Sequence, residues 1–217
     1  MISLVAFLGN YGSNYEHTRH NVGWQFAAAL PFYNALSWRE QFKGDVAQLE
    51  TARLAELVAQ HDLLTTKDGG TPPVPKAAPE KIYFLKPLTY MNASGEAIGE
   101  LAHFYKIPAD QVLVVHDELE LPFGTISLKW AGGLGGHNGL RSTKAALGTA
   151  DFWRLRFGLT KPQGRDIADY VLSAFSADEH SALTTIFAEA ASLFARLLLT
   201  ADPQRLISTW SKRKVLA

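Results

Sequence analysis

Six polar residues stand at the tips of segments that read as turns: Asn10, His20, Asn92, Asp117, His137 and Asn138. Brought together, they would suit activation of water by a histidine. A neutral imidazole near pH 7 is the best side-chain base for deprotonating water, a carboxylate behind it fixes its tautomer, and carboxamides bind a carbonyl without adding charge. Each has a plainer use by itself, since a lone His or Asn in a loop commonly serves as a turn or cap. It is the combination that points to chemistry.

Other chemistries find less support. His17 and His20 in "HTRH", with His116, Asp117 and His137, could in principle ligate a metal. An i, i+3 histidine pair converges only on a helix, however, and this stretch precedes the predicted helix, so no metal is expected. A dinucleotide cofactor would need G-x-G-x-x-G where the chain has "GNYGSNY". Neither a P-loop nor a G-x-S-x-G nucleophile elbow occurs, and no cofactor is expected.

The elements that must position these residues alternate. Ile2 to Leu8 reads as a strand, "GNYGSNYEHTRHN" as a polar loop, and "VGWQFAAALPF" as a helix broken at Pro31. "FKGDVAQLE" predicts a second strand, and "ARLAELVAQHDLLTT" fits helix or strand. The composition from about 63 to 80 predicts a flexible surface insertion. "KIYFLKP" predicts a buried strand and "SGEAIGELAHFYKI" a helix ending before Pro108. "QVLVVHDELELP" opens with the continuous apolar run of a central parallel strand and delivers His116 and Asp117 at its carboxyl end. "TISLKW" and "WRLRFGLT" predict strands, the latter with Arg154 and Arg156 on one face, and "GLRSTKAALG" predicts a helix. Ser176 and Glu179 make a capping box ahead of an apolar stripe from Leu183 to Leu198. These alternations predict an α/β fold: a single-domain three-layer sandwich over residues 1–217, with a mixed, mostly parallel twisted sheet flanked by helices. Ligands in such folds bind beyond the carboxyl ends of the strands.

With 217 residues, 47% hydrophobic and 19% charged, the chain can bury a sizeable core. The absence of cysteine excludes a disulfide scaffold, a thiolate nucleophile and sulfur-ligated zinc, and it fits a cytoplasmic protein. The N-terminal run lacks the basic region of a signal peptide, and no apolar stretch approaches the roughly 18 residues of a bilayer span, so no membrane partner is expected. Net charge is zero but unevenly spread: Lys129 to Arg165 holds seven Lys or Arg and one Asp. That stretch is either a basic face for an anionic partner or a scatter of solvated charges.

Four separated stretches carry a resemblance: "FLGNYGSNYEHTRHNVGW", "FLKPLTYMNASGEA", "VLVVHDELELPFGTISLKWAGGLGGHNGLRS" and "FWRLRFGLTKP". In content, order and spacing they resemble bacterial peptidyl-tRNA hydrolases, which cleave the ester between a stalled peptide and its tRNA. The resemblance implies a cytoplasmic, metal-independent monomer acting on the nascent peptide, CCA end and acceptor stem of peptidyl-tRNA. It implies His20 as the base, Asp117 as its orienting partner, and Asn10 and Asn92 as substrate-contacting carboxamides, with Met91 walling the site. It further implies that His137 and Asn138 contact the peptide backbone and CCA end, and that Tyr15 stacks on the terminal adenosine. Lys129 and Arg156 align with a clamp on the 5′ phosphate and acceptor stem, and Arg165 with another tRNA-contacting cation.

Three departures stand out. Tyr11 occupies a position where the family motif usually has proline, which would preset the φ of that loop. His17 is outside the motif, and the insertion is longer than usual. Glycines 132, 133, 135, 136 and 139 would admit unusual φ and let an extended chain approach the backbone. Two rivals keep part of the pattern: an RNA-binding module without catalysis, and a metal-free small-molecule esterase or amidase with no use for the basic stretch.

Overall fold

Two runs, LVAF and VLVVH, have no polar side to offer water and must be covered on both faces. The computed structural model, which describes residues 1–64, 71–164 and 166–216, puts both at the centre of one eight-stranded sheet. In chain order the elements are β1 (Leu4–Phe7), α1 (Val22–Ala29), β2 (Arg39–Gln41), β3 (Gly44–Glu50), α2 (Thr51–Gln60), β4 (Lys81–Pro87), α3 (Ser94–Phe104), β5 (Val112–Glu118), β6 (Thr125–Trp130), α4 (Asn138–Leu147), β7 (Trp153–Gly158), α5 (Ile167–Val171), α6 (Ala177–Leu199), α7 (Gln204–Trp210) and β8 (Arg213–Lys214). The strand order is β2-β3-β4-β1-β5-β7-β6-β8. On one face α1, α2 and α6 bury a core that includes Phe7, Phe26, Phe157 and Phe194. On the other, α3 and α4 pack over Leu4, Ala6, Leu8, Val112 and Val114. These are the three layers expected.

The sheet is mixed, but the expectation that it is mostly parallel needs correction. Only β4, β1, β5 and β7 run parallel, whereas the β2–β3, β3–β4, β6–β7 and β6–β8 pairings are antiparallel. Short links set the direction of β3 against β2 and of β6 against β5, because a crossover between parallel strands needs a dozen or more residues. Phe42 and Lys43, both at positive φ, reverse the chain between β2 and β3 as a two-residue hairpin. Residues 119–124 are too few for a parallel crossover, so β6 returns antiparallel to β5, with β7 lying between them. Hydrophobic patterning reports burial and is blind to strand direction.

The capping box forms as predicted: Ser176 Oγ accepts from the Glu179 amide, and Glu179 accepts from the Ser176 amide. The 23-residue α6 that follows corrects another expectation, since by length and composition alone it could span a bilayer. Its stripe is instead packed in the core, with Leu183, Ile186, Leu193, Phe194 and Leu197 buried. The ambiguous stretch after β3 is helical, as α2. Of the insertion, residues 65–70 lie outside those described, and residues 71–80 hold neither helix nor strand. Its flanks are tied down, Leu63 O accepting from Ser192 Oγ at 2.7 Å and Glu80 O from the Thr51 amide at 2.9 Å.

Candidate active site

His20 and Asp117 are far apart in sequence, and close packing of α1 on the sheet brings them together. Asp117 lies near the carboxyl end of β5, and His20 lies in a single 3-10 turn, Arg19–Asn21, that leads into α1. A Cβ at Gly23, in the first turn of α1, would lie 2.6 Å from Leu8 O and 2.8 Å from Val115 O. Only glycine lets the helix sit this low on β1 and β5. His20 Nδ1 then stands 2.8 Å from Asp117 Oδ1, and since a carboxylate only accepts, Nδ1 carries the proton. His20 Nε2 has no hydrogen-bond partner among the described residues and belongs to the side chain lining the crevice.

A second imidazole reaches the same oxygen. His137 is the N-cap of α4, its Nδ1 accepting from the amides of Gly139 and Leu140 at 3.1 and 3.4 Å. An accepting Nδ1 puts the proton on Nε2, which donates to Asp117 Oδ1 at 3.0 Å. Burial would raise the Asp117 pKa, but the charges and hydrogen bonds of His20 and His137 prevail and hold it well below the usual carboxylate range. Burial likewise acts to lower the His20 pKa, and Asp117 outweighs it, so the imidazole is raised above its ordinary 6.5. His116, beneath them and fully buried, is pushed far down by burial; its Nδ1 donates to the Asp117 carbonyl at 2.6 Å.

The loop after β1 is fixed by amide exchange. Buried Asn21 accepts from the Asn10 amide at 2.8 Å and donates to the Asn10 carbonyl at 3.0 Å. Asn10 Oδ1 in turn accepts from the Met91 amide at 2.7 Å, which leaves its Nδ2 as the group available to a ligand. Tyr11, standing in place of proline, donates its amide to Thr89 O at 3.3 Å, a bond that proline lacks. Asn10, His20, Met91, Asn92, His137 and Asn138 line one crevice of about 450 Å³. Asn92 and Asn138 are exposed along it, and Tyr15 meets exposed Tyr90 edge to face, ring centroids 6.2 Å apart.

The glycine-rich stretch has more than one physical cause. Gly132, Gly135 and Gly136 adopt positive φ, whereas Gly139 is needed for space, a Cβ there falling 2.6 Å from Met91 Sδ. Underneath, Arg154 donates to the carbonyls of Gly132 and Gly133 at 2.8 and 2.7 Å and is only 1% exposed. Arg154 therefore does not share the role of its strand neighbour. Arg156 remains partly accessible, bonded to Glu118 at 3.1 Å and to Ser127 Oγ at 2.7 Å. Lys129 has no ion-pair partner among the described residues, and burial, with Arg156 and Arg154 nearby, pushes its pKa down. Arg165 lies outside the described residues.

Some of the site's framework had no separate signal in the sequence. Arg19 joins the His20 turn to the far wall of the crevice: it pairs with Glu179 at 2.5 Å, lies over the Tyr170 ring and bonds the carbonyls of Ser173 and Ala174. That wall is α5, whose Ile167, Ala168 and Val171 line the crevice with Asp166 and Leu172. Asn21 and Arg19 stand within the "TRHN" motif, so adjacency to His20 was their only available marker.

A three-layer sheet with titratable side chains gathered beyond the carboxyl ends of its parallel strands is the architecture of an α/β enzyme. The model of the family described as "Peptidyl-tRNA hydrolase" matches residues 4–216, and the chain belongs to that family. It is similar to the peptidyl-tRNA hydrolase of Treponema pallidum (strain Nichols), 43% identical over 100% of this chain and 98% of that one. The Desulfitobacterium hafniense (strain Y51) enzyme of the same name is 41% identical over 85% of this chain and 86% of its own. In structure the chain resembles crystalline peptidyl-tRNA hydrolase from Acinetobacter baumannii, with a TM-score of 0.74 and 30% identity, covering 95% of this chain and 93% of that one.

Proposed function

We propose that the chain, acting as one domain, hydrolyses the ester joining a peptide to tRNA, with His20 as general base and no metal. The observation that carries this reading is the His20–Asp117 pair: Nδ1 is committed to the carboxylate, so Nε2 of this crevice-lining side chain keeps its lone pair for a water. His20 Nε2 takes a proton from water as its oxygen attacks the ester carbonyl, and Asp117 stabilises the imidazolium. Collapse of the tetrahedral intermediate breaks the bond to the ribose oxygen, which recovers the proton from His20, leaving free tRNA and a peptide carboxylic acid that loses its proton to solvent. With its oxygen oriented by the Met91 amide, Asn10 has Nδ2–H as an unengaged donor, suited to the carbonyl oxygen as negative charge develops there. Asn92 and Asn138, exposed on the same crevice beside Met91, are available to the peptide backbone and CCA end, while Tyr15, which is not among the crevice's lining residues, is left to stack on the terminal adenosine from outside it.

The donor set argues against a metal. His20, Asp117 and His137 bring potential ligand atoms within 4.8 Å of one another. Coordination through His137 Nε2 would, however, put its proton on Nδ1, facing the Gly139 amide 3.1 Å away. Two donors would then face each other, so the helix cap itself opposes metal binding. The test is release of N-acetylated amino acid from charged tRNA, with and without EDTA. We expect full turnover in EDTA and a loss of about 10²–10⁴ in rate for His20→Ala with its melting temperature near wild type. Wild-type turnover by that variant would refute the assignment of the base.

A further inference from the structure

The last element of the chain, β8, joins the sheet at the edge beside the cationic residues of β6 and β7. Thr125 pairs with Lys214, and Ser127 with Arg156. Paired residues project from the same face and alternate residues share it, so Lys214 stands on the face that carries Ser127, Lys129, Arg154 and Arg156. Arg213, one residue back, pairs with Ile126 and points the other way, bonding Glu189 of α6 at 3.3 Å and lying over Trp210. Lys212 and Lys214 are exposed, and neither has an ion-pair partner among the described residues.

The strand is anchored at both ends. Val215 donates its amide to Gly124 O at 2.8 Å, and Leu216 packs where a Cβ on Gly124 would fall. Ser127 Oγ accepts from Arg156 at 2.7 Å and donates to the Ser211 carbonyl, linking Arg156 through one hydroxyl to the residue before Lys212. Among the described residues Glu118 is the one carboxylate bonded within the Lys129–Arg156 group, so this surface has surplus positive charge. Lysines on an edge strand can also serve merely to discourage sheet-to-sheet pairing.

We propose that Lys212 and Lys214 of the C-terminal strand extend the cationic surface of Lys129 and Arg156, and that they bind backbone phosphates of the acceptor stem. The inference rests on the functional reading above. The strand's two faces then have different work: Arg213 fastens it to α6, and the flanking lysines meet the nucleic acid.

The double variant Lys212→Ala/Lys214→Ala is compared with wild type and with Arg213→Gln on two substrates, N-acetyl-aminoacyl-tRNA and the same ester on a CCA trinucleotide. On the tRNA substrate the double variant should raise KM with kcat unchanged, and the slope of log KM against log salt should flatten by about 0.7–0.9 for each lost phosphate contact. On the trinucleotide it should match wild type, and Arg213→Gln should keep the wild-type KM on both. An unchanged KM and salt slope on tRNA would overturn the proposal, even if the variant aggregates more readily. So would an equal rise in KM on both substrates. If wild type itself failed to cleave the tRNA ester, the functional reading would fall instead.

Discussion

At the residue scale, one carboxylate oxygen shared by two imidazoles dictates how the site should respond to pH. The His20 pKa is raised because Asp117 outweighs burial, and a general base works only when neutral. kcat/KM should therefore fall as pH drops through a value above 6.5. Asp117→Asn removes what raises the pKa and leaves the burial that lowers it, so the acid limb should move to lower pH while the plateau drops. A pH–rate profile of the variant with its limb unmoved, or moved upward, would contradict this account of His20. His137 has both ring nitrogens engaged, Nε2 with Asp117 and Nδ1 with the helix cap, so the contact with substrate that the family resemblance implies would fall to its ring carbons or backbone.

At the element scale, the dyad depends on how low α1 sits on β1 and β5. Gly23→Ala would force a methyl to within 2.6–2.8 Å of two backbone carbonyls, which cannot rotate away as a side chain could. Overpacking of this kind costs about 1–3 kcal/mol, and lifting α1 also separates His20 from Asp117. Urea titration should register the stability loss, and kcat should fall more than KM rises because the base, not the substrate wall, is displaced. Loss of stability with unaltered kcat would mean that the His20 turn is held independently of α1, through Arg19 and the segment after α5.

For the whole molecule, the lack of net charge conceals a division of labour. Acidic and basic residues balance over the chain, yet Lys129 and Arg156 project from neighbouring strands on one face. Replacing either with alanine should flatten the salt dependence of KM by about 0.7–0.9 in log–log slope, with kcat little changed. Arg156→Ala should have the further effect of releasing Glu118, a new local negative charge, so its KM should rise more than that of Lys129→Ala. Stopped-time assays across a salt series on the same charged tRNA would measure both, and parallel, unflattened slopes would exclude the clamp.

The local order of elements was legible in the sequence because apolar period, caps and breakers act over a few residues. Ser176 and Glu179, the run through Val115 and the alternation of Trp153 to Leu159 all formed as their patterns require. The family motifs marked His20, Asp117 and the asparagines in the same way, by type and spacing. What depended on tertiary structure was strand direction, the separation of buried Arg154 from accessible Arg156, and the engagement of both His137 nitrogens by Asp117 and the α4 cap. The short β8 was invisible for the same reason: a two-residue strand has no period, and only the neighbouring edge of β6 makes it one. Each outcome depends on which distant groups compete for the same volume or hydrogen bond, and a linear pattern does not carry that information.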